Sequence, residues 1–126
     1  MNKLIRGKLL ILFDKLGITY SARRIKDDNI LLSELKNKLI EEAKEVHGSS
    51  NHKDLLEELA DVMEVITAIM KIEKISQKEI KTAALDKNKV KGDFLKERLF
   101  CEYVDIAEEN PAIKYYLNNE KYSIRL

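Results

Sequence analysis

From residue 28 to residue 72 the apolar residues fall at helical spacing, with a single break. Leu32, Leu35, Leu39, Ala43 and Val46 recur at intervals of three and four, which makes one face of a helix. Leu55, Leu59, Val62, Met63, Ile66 and Met70 continue the pattern, and Val65 and Ile69 extend that apolar surface to one flank. The stretch HGSSN (47–51) separates the two runs. Helices joined by so short a break lie antiparallel, side by side. A helical hairpin is therefore the expected centre of the fold. One proline and four glycines in 126 residues leave little turn chemistry for a β architecture.

Helices on either side complete the expectation. Residues 3–16 read as a short helix closed by Gly17. Residues 18–27 read as an extended connection. Asp28 is the expected cap of the helix running to about 47, and Ser50 or Asn51 that of the helix over about 52–72. SQKE (76–79) has the spacing of a capping box. It opens a fourth helix to about 90, which Gly92 stops. Residues 94–106 mix aromatic and β-branched residues with charges, so strand and helix both remain open. Asn110 and Pro111 open a short helix over 110–119, and KYSIRL (121–126) is strand-like. The expected fold class is all-α: a bundle of four to five helices with room for short β segments near the C-terminus. It is read as one domain over 1–126, with 107–126 as a C-terminal extension.

Several acids fall on or beside the faces that should pack. On an ideal helix Glu42 lies about 60° from the centre of the Leu39 stripe and Glu45 about 120°, on the same side. Glu41 faces nearly the opposite way. Glu58 and Asp61 share a flank with Val65, at spacings of three and four. Glu57 and Glu64 lie on the polar side. In an antiparallel pair the acids Glu42, Glu45, Glu58 and Asp61 converge across a groove. Four bare carboxylates there would repel one another and lose solvation. A divalent cation relieves both penalties, and oxygen donors favour Mg²⁺, Mn²⁺ or Ca²⁺ over zinc. The competing reading is that helix-edge acids are simply solvated. A di-iron bundle fits poorly, because it needs Glu-x-x-His pairs and neither His47 nor His52 completes one. Both histidines read as residues of the helix connection.

Composition excludes other classes. Net charge is +1, with 23 Lys and Arg against 22 Asp and Glu. Such a balance offers no general field for a nucleic-acid polymer or an anionic membrane. No stretch approaches the roughly 20 apolar residues of a membrane span. MNKLIRGKLLILFDK has a short apolar run and no small-residue cleavage site, so a signal peptide is not expected. The single cysteine, Cys101, allows no internal disulfide. It suits a reducing, cytoplasmic setting and reads as a packing residue.

EEAKE (41–45), twelve intervening residues and ELAD (58–61) reproduce an EExxE–x₁₂–ExxD signature. The pattern resembles the MazG-type all-α nucleoside triphosphate pyrophosphohydrolases. That superfamily also holds phosphoribosyl-ATP pyrophosphohydrolases and dimeric dUTPases. NKLIRGKL (2–9) is similar to the KLVRDKI opening of a MazG-like subgroup, and KNKVKGDF (87–94) to its KxxxRGGF segment. The resemblance covers about residues 2–100. Gly7, Lys91 and Asp93 depart from it, and Lys91 keeps the charge of the usual Arg without its bidentate geometry.

The resemblance implies hydrolysis between the α and β phosphates of a nucleotide, giving a monophosphate and pyrophosphate. It implies Mg²⁺, with Mn²⁺ as substitute, held by Glu42, Glu45, Glu58 and Asp61. It implies a homodimer or homotetramer, and the largely apolar circumference of the third helix independently asks for a partner. Lys87 and Lys91 are the expected phosphate-binding residues by motif match, with Arg6 and Lys8 next. House-cleaning of nucleotides is the expected role. Phosphoribosyl-ATP hydrolysis, or a catalytically weak nucleotide-binding or helix-pairing module, are the alternatives. Tyr115, Tyr116 and Tyr122 read as base-stacking or, preferentially, dimer-packing residues.

Overall fold

The computed structural model describes residues 1–117. All regular structure in this span is helical: α1 Leu9–Lys15, α2 Asp28–Gly48, α3 His52–Glu73, α4 Gln77–Lys91 and α5 Ala112–Leu117. The chain divides into two compact units, Met1–Ala83 and Ala84–Leu126, with the boundary inside α4.

Local chemistry sets the helix ends. Asp27, not Asp28, caps α2, and its carboxylate accepts from the backbone N–H of Asn29 and Ile30. Asn51 caps α3 by accepting from the Asp54 N–H at 2.9 Å. The box at the start of α4 is reciprocal: the Glu79 N–H donates to Ser76 Oγ, and the Ser76 N–H donates to Glu79 Oε2. Gly17 (φ 69°) ends α1, where the N–H of Ile18 donates to the Phe13 carbonyl and that of Gly17 to the Asp14 carbonyl. This pairing satisfies carbonyls that the last turn leaves open. Lys74 closes α3 in the same left-handed conformation, φ 56°, without glycine's freedom. Gly92 (φ 77°) closes α4.

In the first unit α2 and α3 pack against each other. Only three residues, Ser49–Asn51, join them, so the hairpin is antiparallel. The buried surface keeps part of the expected stripes and drops the rest. On α2 the buried residues are Leu35 and Glu42, whereas Ala43 is exposed. On α3 they are Val65 and Met70. Leu59 and Met63 are 45% and 58% exposed. The buried surface of α3 thus takes in the flank of Glu58, Asp61 and Val65 together with Met70 and the half-buried Val62 and Ile66, while Leu59 and Met63 of the main stripe stay open.

The first helix is shorter than its apolar pattern suggests. Residues 3–8 precede it without helical structure, and both Lys3 and Arg6 bond to acids of the hairpin. Residues 18–27 contain no helix or strand.

In the second unit residues 92–111 form neither helix nor strand, so 94–106 takes neither of its two expected forms. Asn110 caps α5 by accepting from the Ala112 N–H at 2.9 Å. No strand forms among the described residues, and the expected strand-like tail at 121–126 lies outside them. Cys101 is exposed rather than packed, because the chain around it has no apolar layer to enter: Leu99 and Phe100 are also exposed.

Candidate metal centre

Glu42 projects from α2, and Glu58 and Asp61 from α3. Each offers a carboxylate oxygen within 4.8 Å of the others'. Glu42 is buried, and Glu58 and Asp61 are half-buried. Helix geometry explains the convergence. Glu58 and Asp61 both lie within about 40° of Val65 on the face turned to α2. Glu42 lies about 20° from the buried Leu35 on the opposing face. The donors are all hard oxygens on two helices of one hairpin, a set that fits Mg²⁺ or Mn²⁺ and gives zinc no nitrogen or sulfur.

The clustered carboxylates act on one another. Burial, followed by the charges of Glu45, Asp61, Glu42 and Glu57, raises the Glu58 carboxyl above its ordinary value. Two cationic side chains partly offset the acids. Lys38 Nζ lies 3.5 Å from Glu42 and 3.3 Å from Glu41. The Arg6 guanidinium donates to Asp61 at 2.6 Å. Lys38 was not singled out in the sequence, although its i,i+4 spacing to Glu42 is an ordinary ion-pair signal on a helix.

Glu45 is exposed and stands outside the cluster of three, close enough for its charge to act on Glu58. Glu41 is held well away from a ligand role. Its carboxylate accepts from Lys3 Nζ at 2.7 Å and from Lys38. The Lys3 bond, then the Lys38 bond acting against burial, draws its carboxyl below the ordinary value.

A cavity of about 260 Å³ adjoins the acids. Glu42 and Asp61 line it together with Leu35, Lys38 and Val65, and Leu4 to Arg6 form a wall. Glu64, expected on the polar side, also lines it. The volume falls below the roughly 300–1,000 Å³ of sites that enclose a small ligand.

The remaining expected phosphate residues lie elsewhere on the chain. Lys8 is exposed at the N-cap of α1. Lys87 and Lys91 are exposed on α4, one turn apart, beyond the unit boundary. His47 and His52 are exposed at the hairpin turn. No described helix is long and apolar enough to cross a membrane.

No family model, curated protein or solved structure matches the chain.

Proposed function

We propose that the protein is a Mg²⁺-dependent nucleoside triphosphate pyrophosphohydrolase that cleaves between the α and β phosphates. The observation that carries this reading is the convergence of Glu42, Glu58 and Asp61, with oxygens within 4.8 Å, at the positions of the EExxE–x₁₂–ExxD pattern. A divalent ion held there would neutralise the triphosphate and polarise its α-phosphorus.

The chain's own groups supply the rest. A water oxygen attacks the α-phosphorus, the bond to the bridging oxygen breaks, and pyrophosphate leaves with the electron pair. Glu45 is exposed beside the cluster but outside it, so it is the carboxylate free to take the water's proton. Arg6 and Lys38 supply positive charge at the cavity wall, where the phosphates would lie. Lys8, Lys87 and Lys91 remain assigned to phosphate by their motif positions alone.

Two copies form the working unit in this reading. Leu56, Leu59 and Met63 of α3 and Ile40 of α2 are between 45% and 60% exposed, and a second hairpin would cover them.

The direct test is incubation with a panel of NTPs, dNTPs and phosphoribosyl-ATP plus Mg²⁺, reading pyrophosphate release. Turnover is expected on at least one substrate, and Glu42→Gln and Asp61→Asn should abolish it. Absence of turnover on every substrate would leave the reading without support.

A further inference from the structure

The N-terminal segment sits on the acids in a way that an anchored terminus does not require. Lys3 reaches Glu41 at 2.7 Å and Arg6 reaches Asp61 at 2.6 Å, so residues 3–6 are tied to both helices of the hairpin. Between those two ties, Leu4 and Ile5 wall the cavity. Asp61 is one of the three clustered carboxylates. The Arg6 guanidinium already offsets part of the Asp61 charge that a divalent ion in the cluster would draw on, so the two cations compete for it.

We propose that residues 3–6 form a cation-displaced latch. Arg6 occupies Asp61 as a substitute cation, and a divalent ion entering the cluster releases Arg6, loosens the wall over the cavity and frees the guanidinium for phosphate. This rests on the function proposed above and assigns it an order: metal first, then nucleotide.

The energetics favour displacement. The Arg6 and Asp61 side chains are 61% and 38% exposed. Exposed pairs of this kind contribute little, because water competes for both charges and the long side chain loses freedom. A divalent ion meets three carboxylates at once, one of them buried. The Lys3–Glu41 tie lies outside the cluster, so it persists and keeps the opened segment tethered nearby.

The test uses the full chain and two readouts besides turnover. Calorimetric titration with Mn²⁺ should show Arg6→Gln binding about two- to five-fold more tightly than wild type, the scale of one exposed ion pair. Arg6→Lys should fall between them. With Mg²⁺ present, a non-hydrolysable α,β-methylene triphosphate should bind Arg6→Gln more weakly. Opposite signs on metal and nucleotide are the signature of the latch, since a merely structural Arg6 would not produce them. Trypsin cleavage at the Arg6–Gly7 bond, followed by mass spectrometry, should accelerate several-fold when Mg²⁺ is added to wild type. In Asp61→Asn it should be fast with or without the ion. Lys3→Gln, which touches no clustered acid, should speed cleavage without metal. If wild type binds Mn²⁺ but its cleavage is unchanged and Arg6→Gln binds the ion no better, the latch is wrong and the enzyme reading stands. If wild type binds no divalent ion, both fall.

Discussion

Glu58 is the residue at which the cluster's cost is concentrated. Burial and the adjacent carboxylates raise its folded-state pKa. The folded protein therefore takes up this proton at a higher pH than the unfolded chain. The stability it contributes is complete below the ordinary glutamate value and is lost as pH rises through the raised value. Glu41 runs the other way: its pKa is lowered chiefly by the Lys3 bond, so its contribution is present above the ordinary value and lost as pH falls through the lowered one. Without metal, the melting temperature should rise as pH drops through the Glu58 window and fall again below it. Glu58→Gln should flatten the upper limb, melt higher than wild type at neutral pH, and lose any stabilisation by Mn²⁺. A Glu58→Gln protein that melts lower at neutral pH would show that the carboxylates do not repel as described. Mn²⁺ binding should weaken in wild type as pH falls through the same window, since Glu58 must be ionised to ligate. Glu45→Gln separates a base from a ligand. It should keep Mn²⁺ affinity and lose turnover, whereas Asp61→Asn should lose both.

The helix ends follow from local chemistry, and this is why they were legible in the sequence. Asn51, the Ser76–Glu79 box, Gly17, Gly92 and Asn110 act within a few residues of themselves. The packing arcs are set across the molecule and were less legible. The third helix is apolar around most of its circumference, so its pattern does not say which arc meets α2. The structure selects the arc centred on Val65, with Leu59 and Met63 outside it, and this brings Glu58 and Asp61 to the interface rather than its edge. Glu42 moves inward for the same reason, as Ala43 moves out. Arg6 was legible as a motif position but not as a partner of Asp61, and Lys3 was not legible as a partner of Glu41, because nothing local encodes a contact over 55 or 38 residues. Two element-scale outcomes can be measured by thermal denaturation. Ser76→Ala removes one half of the reciprocal cap and should cost about 1 kcal/mol. Lys74→Gly should stabilise by up to about 1 kcal/mol, because a left-handed backbone strains any side chain that has a Cβ.

At the scale of the whole molecule, the amount of buried apolar surface is the limiting quantity. Among the described residues only Leu35, Val65 and Met70 form a buried apolar core. A single domain of ordinary stability buries far more of its unfolded surface. The hairpin meanwhile leaves Ile40, Leu56, Leu59 and Met63 open to water, a larger set than the core itself. A second hairpin packed over Leu59 and Met63 extends the core without disturbing the acids, since these two residues lie about 100° and 140° around α3 from Glu58. Stable association needs roughly 800 Å² from each partner, an area that two 20-residue helices can present. The protein should therefore sediment as a dimer or a higher assembly. Replacing Leu59 and Met63 together by glutamate should shift it to monomer and lower its melting temperature, and make that temperature depend less on concentration. If the double variant keeps the wild-type assembly, another face pairs the chains. If wild type itself is monomeric and melts cooperatively, the three-residue core suffices and the exposed α3 stripe serves some other contact.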